Sequence, residues 1–89
     1  MPTVHLLIKG KVQGVFYRAT AKKIADKLKL TGWIKNTIND DVEATVTGGE
    51  EQLQQFINWC KKGPEKAKVE DVITTQETET PFNDFEIVR

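Results

Sequence analysis

The sequence predicts an α+β domain: a sheet carrying two helices on one face, in the order strand, helix, strand, strand, helix, strand, with a short extra strand at the end. Three observations predict it. Apolar residues alternate through Thr3–Gly10 and again through Asp41–Thr47, as half-buried strands require. Two intervening segments instead place apolar residues at helical spacing, each stopped or started by glycine. Between the first strand and the first helix lies a glycine-punctuated turn rather than a long loop.

The elements follow in order. Val4, Leu6 and Ile8 share one face of the first strand, and His5, Leu7 and Lys9 share the other. A single strand histidine outside any polar cluster reads as a surface residue. Ala19 to Lys29 reads as a helix, with Tyr17, Ala21, Ile24, Ala25 and Leu28 as its apolar stripe. Gly32 marks the exit into a strand over Trp33–Ile38, and Asn39-Asp40 reads as a tight hairpin because both residue types tolerate a positive φ. Gly48-Gly49 opens the second helix; Glu50 and Glu51 suit its positive first turn, and Lys61 and Lys62 its last. Leu53, Phe56, Ile57 and Cys60 form its apolar stripe, so Cys60 reads as core packing rather than a reactive thiol. Gly63-Pro64 stops it. Ala67–Thr74 and Phe82–Val88 read as strands, and Thr75–Pro81 as a polar loop or frayed edge. Trp33 and Trp59 read as packing elements. The whole is the split βαβ, or ferredoxin-like βαββαβ, sandwich on an antiparallel sheet.

Composition narrows the function. With 89 residues there is room for one domain, residues 1–89, of expected radius of gyration about 12 Å. Thirteen basic residues balance thirteen acidic ones, against a sequence-wide grip on nucleic acid or anionic membrane. An RNA-recognition sheet with this strand order needs aromatics in its central strands, and the third strand has none. No segment is apolar enough to span a bilayer, and the N-terminus lacks a signal peptide's apolar core, so a cytoplasmic monomer is expected. One cysteine and one histidine cannot build a Cys/His metal cluster, and no cofactor or metal is expected.

The chemistry points to Gly10-Lys11-Val12-Gln13-Gly14-Val15-Phe16-Tyr17-Arg18. Glycines let successive backbone N–H groups turn inward, and a helix N-terminus adds unsatisfied N–H groups and partial positive charge. Arg18 adds a planar fork for two phosphate oxygens, while Lys9 and Lys11 raise the local potential. If the first two strands run parallel with the third between them, their C-terminal ends meet at one sheet edge, about 10 Å apart. Asn36 then stands near the loop. No Ser-His or Cys-His pair lies near it, and the Gly-Lys-Ser/Thr ending of a nucleotide loop is missing. Positioning and charge stabilisation remain, and phosphoryl transfer to water asks for little more.

The stretch resembles the signature of the acylphosphatase family, Gly-x-Val-Gln-Gly-Val-x-x-Arg, with every fixed position matched. Gly32-Trp33-Ile34-Lys35-Asn36 is similar to that family's second motif, Gly-Trp-Val-x-Asn. Gly63-Pro64, Ala67-Lys68-Val69 and Phe85-Glu86-Ile87 also fall where the family has them. The resemblance implies metal-independent hydrolysis of acyl phosphates to carboxylate and inorganic phosphate. It implies that Gln13, Gly14, Val15, Phe16, Tyr17 and Arg18 hold the phosphate, and that Asn36 orients the attacking water. Inorganic phosphate or sulfate should then compete. The alternative is a non-catalytic phosphate-binding module on the same fold. One departure is the turn: where the family more usually has Asp-Gly, this chain has Asn39-Asp40-Asp41. Its carboxylates share the sheet edge with the loop, and screening over about 8–10 Å should keep their effect on an anionic substrate small.

Overall fold

The computed structural model describes residues 1–88. Its elements are β1 (Thr3–Lys11), α1 (Tyr17–Lys27), β2 (Thr31–Asn36), β3 (Val42–Thr47), α2 (Glu50–Lys62), β4 (Lys68–Glu77) and β5 (Phe85–Ile87). The strand order in the sheet is β4-β1-β3-β2-β5. As expected, β3 lies between β1 and β2 and runs antiparallel to both.

Register explains which face is covered. Leu6 stands opposite Ala44, which in turn stands opposite Ile34, and all three are fully buried. Against this face pack Tyr17, Ala21 and Ala25 of α1 and Leu53, Phe56 and Cys60 of α2, with Phe85 of β5 edge-on to Phe56. The radius of gyration is 11.6 Å. Burial pushes the Cys60 thiol up to about 12, so little nucleophilic thiolate forms there near neutrality.

Several boundaries differ from the sequence expectation. The α1 helix begins two residues early, at Tyr17, which brings Arg18 into its first turn. It ends at Lys27, not Lys29, because Lys29 turns left-handed at φ 59°. Lys29 N–H then bonds to Asp26 O and Leu30 N–H to Ala25 O, the paired closure of a Schellman end. The β4 strand runs on to Glu77, through residues expected as loop. Its polar tail is tolerated because β4 is an edge strand, pairing with β1 as far as Thr3–Glu77. The last strand is shorter than Phe82–Val88 and pairs parallel to β2, so the sheet is antiparallel except at that edge.

The open face holds a second correction. His5 is not a solitary surface residue: its Nε2 lies 3.0 Å from Glu43 Oε2 and its ring meets Trp33 edge-on. Lys35 reaches Glu43 at 3.4 Å and lies over the Trp33 ring. Cross-strand register sets these residues side by side, which a one-dimensional reading of β1 could not show.

Candidate active site

The loop between β1 and α1 is pinned from beneath by Val12 and Val15, both buried. A shift of register at Lys9/Gly10 starts it, and a Cβ at Gly10 would collide with the Lys68 carbonyl oxygen. Farther on, Gly14 has φ 74° and Phe16 φ 63°, with Val15 of the ordinary hand between them. Alternating hands turn consecutive N–H groups to one side and form a concave anion nest. Gly14 adopts its conformation without steric conflict, whereas at Phe16 it is strained by about 1–2 kcal/mol.

Phe16 is also the N-cap of α1, so the nest and the helix N-terminus face the same place. No side chain caps that end, and no acidic residue stands in its first turn. Its positive end therefore has neither a side-chain cap nor a first-turn carboxylate to compensate it. Tyr17 fixes the first turn: its ring is buried against Trp59 and its hydroxyl donates to Cys60 O at 2.7 Å. Burial raises the Tyr17 phenol far above its ordinary value, so it stays protonated. Arg18, one position on, is rotated about a quarter-turn away from the core. It is half-buried, and its guanidinium makes no ion pair with a described residue.

Asn36 closes β2 on the far side of β3. As a plain strand-end residue it would bond to the hairpin backbone, but Gln13 does that instead. Gln13 Nε2 donates to Thr37 O at 2.9 Å and to Asp41 O at 2.8 Å, tying the loop to the hairpin beside Asn36. Asn36 Oδ1 is buried and has no hydrogen-bond partner among the described residues.

A cleft of about 310 Å³ opens where these parts meet. Gly14, Phe16, Tyr17, Arg18 and Asn36 line it, together with Val12, Ala19 and Ile87. Of the residues expected at the site, Gln13 and Val15 turn their side chains elsewhere, one clamping the hairpin and the other packing in the core, which leaves only their backbone to the loop. Lys9, beside the loop, pairs with Asp41 at 3.7 Å. Ile87 was not expected there. The parallel pairing of β5 with β2 delivers it, reinforced by Lys22 Nζ donating to Phe85 O at 2.8 Å.

The hairpin is a three-residue loop, Ile38-Asn39-Asp40, closed by Thr37 and Asp41, rather than a two-residue turn. Asp40 takes the left-handed position, at φ 67°, as expected for an aspartate standing where glycine is more usual. Asp40→Gly should relieve strain of about 1–2 kcal/mol less a glycine entropy cost of about 0.5–1. The denaturation midpoint should stay or rise, by an amount worth about 0–1.5 kcal/mol. Because Asp40 does not line the cleft and Asp41 is paired, kcat should stay constant and KM fall only slightly, most at low salt. A many-fold change in kcat would show the turn acting directly on the reaction.

A family model described as Acylphosphatase matches residues 4–87. The chain belongs to the acylphosphatase family. An acylphosphatase of Syntrophus aciditrophicus (strain SB) is 43% identical over 89 residues, covering 99% of this chain and 93% of that one. The crystal structure of acylphosphatase from Bacillus subtilis superposes with a TM-score of 0.95 at 36% identity, covering 100% of both chains. An acylphosphatase from Coxiella burnetii gives 0.94 at 34% identity, over 98% of this chain and 92% of that one. As a member of the acylphosphatase family the protein is a hydrolase, and its substrate is a small acyl phosphate, cleaved to carboxylate and inorganic phosphate.

Proposed function

We propose that acyl phosphate hydrolysis proceeds here by holding the phosphoryl group in the nest and aiming a water at it, without a metal and without a protein base. The loop N–H groups from Gln13 to Arg18 and the guanidinium of Arg18 bind the phosphoryl oxygens. Arg18 spreads its fork over two of them and neutralises charge as the P–O bond to the acyl oxygen lengthens. Asn36 Oδ1 accepts a hydrogen bond from the attacking water. The water's proton passes to a phosphoryl oxygen, because a carboxamide is too weakly basic to keep it. The leaving group is a carboxylate, so no strong acid is needed to expel it.

One observation carries this reading. Arg18 and Asn36, eighteen positions apart in sequence, open on one cleft beside an uncapped nest, and the Asn36 acceptor is buried with no partner among the described residues. Among the described residues the cleft lining also has no carboxylate, imidazole or thiol, and Tyr17 keeps its proton.

Benzoyl phosphate should therefore be hydrolysed with EDTA present, with inorganic phosphate or sulfate as a competitive inhibitor and the protein acting as a monomer. From about pH 6 to 8, kcat should show no limb belonging to a protein base. A limb near neutrality that no buffer or substrate ionisation explains would overturn the proton route. Failure of well-folded protein to turn over any acyl phosphate would leave only a binding module.

A further inference from the structure

Two large apolar side chains stand exposed at the rim of the same cleft. Phe16 is 79% exposed and Ile87 36% exposed, and both line it. The strand pairing of β5 with β2 accounts for Ile87, but folding does not account for Phe16. Glycine would fit the left-handed conformation at Phe16 without strain, and a polar residue would suit its exposure. The ring contributes nothing to the core cluster, unlike its neighbours Val15 and Tyr17. Strain and an exposed aromatic together at a site of chemistry point to use rather than stability.

The linkage of the substrate says what that use is. In an acyl phosphate a single bridging oxygen joins the phosphorus to the acyl carbon. A phosphoryl group held by the Gly14–Phe16 nest therefore keeps the acyl carbon close by, two bonds from the phosphorus. The side chain growing from the nest rim is Phe16, and Ile87 on β5 lines the same cleft. The polar lining, Arg18 and Asn36 with the Gly14 backbone, is taken up by the phosphoryl group and the water. Val12, Phe16, Tyr17, Ala19 and Ile87 remain, and of these Phe16 and Ile87 are the large apolar side chains left exposed.

We propose that Phe16 and Ile87 form an acyl-side platform that favours aromatic and other bulky apolar acyl phosphates over acetyl phosphate. The inference rests on the phosphate-site reading given above and names the substrate class of that site. An aromatic acyl group lies against the Phe16 ring, with the Ile87 side chain as a second contact. Acetyl phosphate is too short to use either contact.

The test compares kcat/KM for benzoyl phosphate and acetyl phosphate in the wild type, Phe16→Asn and Ile87→Thr. Asparagine tolerates the left-handed conformation, and threonine keeps a β-branched strand residue. Both substrates share one phosphoryl site, so damage to the loop lowers both and cancels in their ratio. The benzoyl-to-acetyl ratio should fall about 3–10-fold in Phe16→Asn, the range an aromatic contact supplies, and less in Ile87→Thr. If either variant fails to fold, the other still reads the same ratio. A ratio unchanged in the folded variants, with the wild type active on both substrates, overturns the platform and leaves the phosphate site standing. A wild type active on neither substrate overturns both.

Discussion

Arg18→Lys should lower kcat/KM for benzoyl phosphate by at least ~10²-fold, nearly as far as Arg18→Ala. A hundredfold loss corresponds to about 2.7 kcal/mol of transition-state stabilisation. The reasoning is geometric. Tyr17 is locked into the core by Trp59 and by its hydrogen bond to Cys60 O, so the backbone at residue 18 cannot drift to suit a different side chain. An ammonium at that fixed point offers one charge centre where the guanidinium offers two parallel donors. Arg18 makes no ion pair with a described residue, so its replacement should change stability by only about 0.5 kcal/mol or less. Steady-state kinetics beside a denaturation curve separates the two effects. A lysine variant that kept more than a tenth of the activity would mean that charge alone suffices.

Asn36→Ala should reduce kcat by about 10²-fold, the scale of losing one well-placed polar group, while the inhibition constant for inorganic phosphate changes little. It should cost no stability. The Asn36 Oδ1 atom is buried without a described partner, and removing an unsatisfied polar atom from such a position is neutral or favourable. That combination distinguishes a group held for the reaction from one held for the fold. If the variant instead lost phosphate binding and kept kcat, the water-aiming role would belong elsewhere. If it unfolded readily, Asn36 would have a structural partner not accounted for.

Much of this was legible in one dimension. The β1 and β3 alternation and the stripes of α1 and α2 are enforced by burial on one face, and burial is what hydrophobic periodicity records. The meeting of Arg18 with Asn36 followed from topology: parallel β1 and β2 with β3 between them put both residues at one sheet edge. Other features left no such trace. The role of the Gln13 side chain depends on two backbone carbonyls 24 and 28 residues away. Ile87 reaches the cleft only because a three-residue strand pairs parallel to β2, and so short a strand carries no periodicity. The strain at Phe16 was hidden because composition favours glycine or asparagine at such positions, and phenylalanine gives no warning of it. His5 looked solitary because its partner is 38 residues distant across a strand pair.

The clamp made by Gln13 has a consequence for how the enzyme should tolerate its surroundings. A carboxamide holding two carbonyls is electrically neutral, so neither acidity nor added electrolyte loosens the spacing between the loop and the hairpin. Had the neighbouring Lys9–Asp41 ion pair been the sole tie to the hairpin, the gap would have breathed with the medium. The scaffold can thus stay indifferent to conditions that strongly alter how eagerly a dianion approaches it.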